Sequence, residues 1–214
     1  MDDHPPISRL IKAQVFFDTT VPRYFAVINE CAVLRKACPS ALITTGVELE
    51  LGNCRAPVRA AGGDLGPLLN EPAWAKVVEL TGSQIVDVEQ LRLAFHSPED
   101  LLRKETVDLG EFETIVASQQ RGGLPIVMED GVGARVARGR GLACYQAIHV
   151  CLLAALRGVL SLESSWSLYG RLLEAGLRPR NHERVGFSAA TRADFFDIGE
   201  AMLGGRGRSG GRNE

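Results

Sequence analysis

Residues 14–20 read QVFFDTT, and this stretch decides the fold. Its apolar core, Val15 to Phe17, is typical of a short buried strand. Asp18 ends that strand, and Pro22 then stands where proline is favoured, in the first turn of a helical pattern. The apolar residues that follow recur every three or four positions as far as Leu34. A buried strand that leads into a helix is typical of a sheet covered by helices.

The same alternation of short apolar runs and longer helical patterns continues along the chain. Strands are predicted at 14–17, 41–43, 85–88, 125–128 and 142–145. Helices are predicted at 22–34, 47–51, 74–80, 110–121, 132–138, 147–157, 161–175 and 191–203, with a helical turn at 100–104. The glycine- and proline-rich residues 53–70 predict a loop with at most broken helix.

Strands separated by helices pair in parallel through right-handed crossovers. The predicted fold class is therefore α/β, with three layers (α/β/α), a central parallel sheet of about five strands and a helical C-terminal extension. A chain of 214 residues fits one such domain. The predicted organisation is an N-terminal extension (1–13), a domain (14–180), a C-terminal helical extension (181–203) and a disordered tail (204–214).

Charge and cysteine content limit the functional class. The formal net charge is −2, which argues against a protein that binds nucleic acid through overall positive charge, although a local basic rim is compatible with it. The five cysteines are scattered and form no C-x-x-C pair, and no signal peptide precedes them, so we expect reduced thiols in a cytoplasmic protein. No apolar run reaches the ~18 residues that span a membrane, so no membrane partner is expected.

Acidic residues follow or begin several of the predicted elements. In a parallel sheet the carboxyl ends of the strands meet at one edge, where ligands bind. Carboxylates crowded there repel one another unless a cation joins them, and Mg²⁺ or Mn²⁺ prefers such oxygen ligands. The acids are Asp18, Glu50 (with Glu48 nearby), Glu111, Glu129 and Asp130.

Two stretches in the first third of the chain resemble the PIN-domain family. The run from Val15 to Thr20 is similar to the opening of PIN domains, in which an apolar strand is followed by Asp and small hydroxyl residues. The run from Thr44 to Leu51 resembles the second PIN signature, in which a strand-ending Thr or Ser precedes a helix with Val and then Glu-Leu. This pattern selects Glu50 rather than Glu48.

Two later stretches resemble one PIN subgroup. Residues 108–115 are similar to its Gly-Glu-x-Glu helix start, and the register puts the third acid at Glu111, with Glu113 as the alternative. Residues 126–138 resemble its apolar strand, paired acids and following Arg, although Glu129 replaces the usual first Asp and Asp130 matches the second. The resemblance covers about residues 14–180.

The resemblance implies a metal-dependent endoribonuclease and, as in many bacterial members, the toxin of a toxin–antitoxin pair. It implies Mg²⁺ or Mn²⁺ held by Asp18, Glu50, Glu111 and either Glu129 or Asp130, with Thr20 as a supporting hydrogen-bonding residue. It also implies an RNA substrate, an antitoxin protein and a homodimer, for which the apolar helices after Ala147 offer a surface. Two arginines after the acid pair have two interpretations, RNA phosphate binding or a solvated helix surface: Arg135 and Arg138.

Two departures from the family pattern motivate an alternative function. Glu129 has a longer side chain than the usual Asp, and the segment between residues 53 and 105 is long and irregular for the subgroup. The alternative is a catalytically inactive PIN-like module that binds RNA or protein. The sequence also leaves open a metal-dependent phosphatase or deoxyribonuclease that uses the same carboxylates.

Overall fold

The structure is a computed structural model, which describes residues 6–70, 73–97, 99, 108–129, 131–178 and 192–207. Its strands are β1 (Val15–Phe17), β2 (Ala41–Thr44), β3 (Lys76–Val78), β4 (Ile126–Val127) and β5 (Cys144–Tyr145). Its helices are α1 (Ile7–Lys12), α2 (Thr20–Val27), α3 (Cys31–Ala37), α4 (Thr45–Asn53), α5 (Arg55–Ala60), α6 (Gly66–Leu69), α7 (Gly82–Phe95), α8 (Leu109–Gln120), α9 (Val132–Gly139), α10 (Ala147–Leu156), α11 (Leu162–Glu174) and α12 (Arg192–Gly207).

The five strands form one parallel sheet in the order β3-β2-β1-β4-β5. Val15 of β1 lies opposite Ala41 of β2, and Phe17 lies opposite Val127 of β4. The chain therefore moves outward from β1 through β2 to β3, and returns to the other side of β1 for β4 and β5. In open parallel sheets, ligands bind beyond the carboxyl ends of the strands where the order reverses in this way.

Both faces of the sheet are buried, which confirms the predicted three-layer α/β/α fold. Successive side chains of a strand point to opposite faces, and β1 shows this directly. Val15 and Phe17 belong to one core cluster, which also includes side chains from α2, α3 and α10. Phe16 belongs to the second cluster, with side chains from α7, α8 and α9.

The segment between β2 and α8 corrects two predictions. Residues 74–80 are not a helix: they contain β3, which lies at the sheet edge, where Lys76 is exposed and only Val78 is buried. Residues 85–88 are not a strand: they lie inside α7. A short apolar run cannot distinguish strand from helix by periodicity, and here the capping box between Thr81 and Gln84 starts a helix.

The ends of other predicted helices also change. The helix predicted at 22–34 is two helices, α2 and α3, because Asn29 adopts the left-handed conformation (φ 58°), which asparagine tolerates well. Helix α1 lies in the predicted N-terminal extension and buries Leu10. Helix α12 extends to Gly207, so residues 204–207 of the predicted disordered tail are helical. The helical turn predicted at 100–104 and tail residues 208–214 lie outside the described residues.

Two further predictions from the sequence concern membrane-spanning segments and the state of the cysteine thiols. Among the described residues, no helix is long and apolar enough to cross a membrane. The cysteines are all free thiols, and four of the five are buried: Cys31, Cys38, Cys144 and Cys151. Burial raises the pKa of the Cys38 thiol to about 12, which is the behaviour of an unreactive core thiol.

Candidate active site

Two acids end the adjacent central strands β1 and β4, where the strand order reverses. Asp18 follows β1 and is 2% exposed, and its N–H donates to the Val127 carbonyl over 3.1 Å. Glu129 follows β4 and is 8% exposed, and its Oε1 accepts the Ala147 N–H at the start of α10 over 2.8 Å. The pairing of β1 with β4 therefore brings two acids, 111 residues apart in the chain, to the same edge of the sheet.

A third acid, Glu111, reaches the same place from the first turn of α8. Its Oε2 accepts the Gly133 N–H at the start of α9 over 3.0 Å. A β-carbon at Gly133 would collide with this carboxylate, so glycine lets the two groups approach. A carboxylate at a helix N-terminus also has a favourable interaction with the helix dipole.

The electrostatics show that Glu111 and Glu129 both act on Asp18. The pKa of Asp18 is raised well above its usual value, first by burial and then by repulsion from Glu111 and Glu129. The pKa of Glu111 is raised from 4.5 to about 7, first by burial and then by repulsion from Asp108 and Glu50, while the Gly133 hydrogen bond opposes the rise. We call Asp18, Glu111 and Glu129 the inner acids.

Two further glutamates, the outer acids Glu50 and Glu113, bind the starts of helices α8 and α4. Glu50 is half-buried, whereas its neighbour Glu48 is exposed. Glu50 Oε1 accepts the Gly110 N–H over 3.0 Å, and its Oε2 accepts the hydroxyl of Thr19. Glu113 Oε2 accepts the Gly46 N–H over 2.7 Å. Glu50 raises the pKa of Glu111, so it lies near the inner acids, whereas Glu113 is directed to α4.

The two threonines after Asp18 support the site in different ways. Thr20, the predicted supporting residue, donates its backbone N–H to Asp18 Oδ1 over 3.0 Å. Thr19 supplies its hydroxyl to Glu50, a role that the sequence analysis did not assign. The Asp-Thr-Thr run indicated a hydroxyl group near Asp18. Adjacent side chains point in different directions, however, so the sequence alone does not show which threonine supplies that hydroxyl.

Asp108 and His96 form a second contact that the sequence analysis missed. Asp108 stands immediately before α8 in the left-handed conformation (φ 52°), which aspartate tolerates better than most residues. His96 Nε2 lies 3.1 Å from Asp108 Oδ2, directly after the end of α7. Because Asp108 raises the pKa of Glu111, this contact couples the end of α7 to the inner acids.

The other predicted site residues lie apart from the inner acids or outside the described chain. Asp130 lies outside the described residues. Arg138 is half-buried and acts electrostatically on Cys144, whose pKa Asp18 also affects. Arg135 is exposed and lines an apolar groove between the end of α7 and α9, beside Phe95.

The chemistry of the inner acids fits a hard divalent cation. Their donor set is carboxylate oxygen only, which suits Mg²⁺ or Mn²⁺, and a cation would offset the repulsion that Glu111 and Glu129 exert on Asp18. In the part of the chain that the structure describes, which omits Asp130, no group of three or more His, Cys, Asp or Glu side chains is arranged to hold a metal ion. The metal site stays a prediction.

Comparisons of the chain with known protein families, with curated proteins and with solved structures find no match.

Proposed function

We propose that the chain is a metal-dependent endoribonuclease that hydrolyses RNA phosphodiester bonds. The observation that carries the proposal is the convergence of Asp18, Glu111 and Glu129 at the switch point of a parallel sheet, where burial and then repulsion from Glu111 and Glu129 raise the pKa of Asp18. Buried acids that repel one another are costly to the fold, and perturbed carboxylates in a cleft are typical of functional sites.

The residues divide the work of hydrolysis between them. Bound Mg²⁺ or Mn²⁺ would activate water and offset the charge that develops on the phosphodiester. Asp18, Glu111 and Glu129 would hold the ion, and Asp18 and Glu129 are the buried acids among the described residues at this sheet edge. Glu111, with a pKa of about 7, would release its proton near neutral pH when the metal binds, because a carboxyl group must be deprotonated to ligate a metal.

RNA is the proposed substrate because of the resemblance to PIN domains in the Asp18, Glu50 and Glu111 stretches. The same resemblance supports two proposed partners, a small antitoxin protein and a second copy of the chain. Arg138, which acts electrostatically on Cys144 as Asp18 does, would attract the RNA backbone through its positive charge.

A second candidate function is an inactive PIN-like module that binds RNA or protein. One observation favours it: both oxygens of Glu50 already hold hydrogen bonds, from Gly110 and from Thr19. A glutamate engaged in this way can serve the fold without serving a metal. The two candidates differ in whether the purified protein binds Mn²⁺ and cuts RNA.

The test is cleavage of a structured RNA by purified protein with Mn²⁺, with EDTA, and with the Asp18→Asn variant. Asp87→Asn, an exposed aspartate on α7, is the matched control. We expect metal-dependent cleavage in the wild type and the control, and none in Asp18→Asn or EDTA. Cleavage retained by a folded Asp18→Asn variant would contradict the mechanism. Parallel assays with DNA and a small phosphate ester would identify a deoxyribonuclease or phosphatase instead.

A further inference from the structure

Two backbone-to-carboxylate hydrogen bonds join helices α4 and α8 in a reciprocal pattern. The Gly46 N–H at the start of α4 donates to Glu113 of α8, and the Gly110 N–H at the start of α8 donates to Glu50 of α4. Residues three or four apart lie on the same face of a helix, so each helix presents one glycine N–H and one glutamate to the other. We call these two bonds the α4–α8 clamp.

The close approach in the clamp requires glycine at both donor positions. A β-carbon at Gly46 would lie 2.7 Å from Glu113 Oε2. A β-carbon at Gly110 would lie 2.9 Å from Val47 Cγ2 and 3.0 Å from both carboxylate oxygens of Glu50. Glycine within a helix costs about 1 kcal/mol relative to alanine. Its use at these two positions is therefore explained by the space that the carboxylates occupy.

The clamp fixes the two helices that carry acids of the candidate site. Helix α4 carries Glu50, and helix α8 carries Glu111 directly after the clamped Gly110. Both helices must keep their angle to β1 if these acids are to face Asp18. A hydrogen bond from a neutral donor to a charged carboxylate is stronger than one between neutral groups, so the clamp is suited to hold that angle.

We propose that Glu113 is a positioning residue for the acid cluster and does not ligate the metal. Its carboxylate reaches the start of α4 and holds the helix, which places Glu50 beside Glu111 and Thr19. The inference decides between the two glutamates of the Gly-Glu-x-Glu stretch in favour of Glu111 as the ligand. The positioning role rests on the proposed function, because the acids that Glu113 would position are the proposed metal ligands. The α4–α8 clamp itself rests only on hydrogen bonds and glycine contacts.

The first test is Mn²⁺ binding by calorimetry to full-length wild type, Glu111→Gln, Glu113→Gln and Glu113→Ala. Glutamine still accepts the Gly46 N–H but is a poor metal ligand, so we expect Glu113→Gln to keep its Mn²⁺ affinity within about threefold of wild type. We expect Glu111→Gln to lose about a hundredfold or more, as in the loss of a ligand. Equal losses in Glu111→Gln and Glu113→Gln would overturn the inference.

The second test separates positioning from general stability. At a temperature where all variants are folded by circular dichroism, we expect kcat for RNA cleavage to fall about tenfold in Glu113→Ala and to recover in Glu113→Gln, with KM for RNA little changed, because the substrate itself does not touch Glu113. A Glu113→Ala variant with wild-type kcat and Mn²⁺ affinity would show that the residue serves folding alone, and would overturn the positioning role.

The third test needs neither metal nor activity. Gly46→Ala and Gly52→Ala lie on the same helix, and a β-carbon at Gly52 meets nothing within 4 Å. We expect Gly52→Ala to raise the folded-to-unfolded ratio about fivefold, and Gly46→Ala to lower it about tenfold by displacing Glu113. Equal stabilisation by both would overturn the clamp. If wild type binds no Mn²⁺, the proposed function and the positioning role are both contradicted. The stabilities of Gly46→Ala and Gly52→Ala still test the clamp in that case.

Discussion

The inner and outer acids lie next to each other and both sets accept backbone N–H groups, but they differ in the elements that they join and in their electrostatic surroundings. The outer acids Glu50 and Glu113 receive backbone N–H groups from neighbouring helices and join α4 to α8. Of the inner acids, Asp18 and Glu129 are buried and Glu111 is half-buried. Burial, followed by repulsion from Glu111 and Glu129, raises the pKa of Asp18, and burial, followed by repulsion from Asp108 and Glu50, raises the pKa of Glu111. The outer acids therefore stabilise the packing of α4 against α8, whereas the raised pKa values of Asp18 and Glu111 show that ionising these two inner acids costs stability.

This difference shows how to assign roles within a cluster of carboxylates. Acid residues at strand ends and helix starts look equivalent in a sequence, because both catalytic and capping acids are favoured there. Hydrogen-bond partners and electrostatic neighbours separate them in the structure. The comparison predicts that neutralising an inner acid reduces activity and increases stability, whereas truncating an outer acid reduces both.

The largest expected effect distinguishes the two acids after β4. Glu129→Gln keeps an acceptor for the Ala147 N–H but removes the charge beside Asp18. Because metal-ion stabilisation of the developing charge is worth several kcal/mol, we expect cleavage to fall by about 10³-fold. Asp130→Asn is the matched comparison, assayed with the same RNA and Mn²⁺. A larger loss in Asp130→Asn than in Glu129→Gln would make Asp130 the ligand.

The second prediction concerns stability and its pH dependence. Because the pKa of Glu111 is raised from 4.5 to about 7, its contribution to stability is fully present below pH ~4.5 and is lost as the pH rises through about 7. Glu111→Gln cannot ionise, so we expect it to be more stable than wild type by about 3 kcal/mol at pH 8, with little difference at pH 4.5. Urea unfolding of the metal-free proteins at both pH values measures this. Lower stability of Glu111→Gln at pH 8 would place Glu111 with the outer acids.

The sequence predicted the central part of the fold because buried parallel strands are continuous apolar runs. The strands around Phe16 and Ile126 have both faces covered, so their sequences are unambiguous, and each ends in an acid. The edge region was predicted wrongly for the opposite reason. Strand β3 is half exposed, and α7 carries apolar residues such as Ile85 and Val86 on its solvent side, which removes the helical period from its sequence.

The sequence predicted which acids meet at the sheet edge, but not which role each of them has. The strand-end rule brings Asp18 and Glu129 to one edge, and the helix start brings Glu111 to the same place. Which helix N-terminus and which other carboxylates each acid faces depends on helix packing across the sheet, which a single sequence does not specify. The orientations of Glu113 and Thr19 follow from that packing and could not be predicted locally.

The third prediction is that Mn²⁺ binding releases protons from the inner acids. A carboxyl group must be deprotonated to ligate a metal, and the pKa of Glu111 is about 7. We expect the apparent Mn²⁺ affinity to fall about tenfold per pH unit below pH 7 for each proton displaced. Calorimetry in buffers with different ionisation enthalpies counts the released protons. The contrast between inner and outer acids is sharpened if Glu111→Gln removes the proton release and Glu113→Gln does not. A Mn²⁺ affinity that does not change between pH 5.5 and 7.5 would contradict the predicted proton release.

The smallest expected effect lies at the boundary between the two sets of acids, at Thr19. Its hydroxyl contacts Glu50, and replacement by valine removes that hydrogen bond while keeping the shape of the side chain. The loss of one hydrogen bond to a half-buried carboxylate is worth about 1 kcal/mol, so we expect Thr19→Val to weaken Mn²⁺-dependent cleavage about fivefold. Thr19→Ser keeps the hydroxyl and is the control, measured as kcat over a Mn²⁺ titration. Equal activity of Thr19→Val and wild type would mean that the hydrogen bond between Thr19 and Glu50 does not affect the metal site. Glu50 would then serve only the α4–α8 clamp.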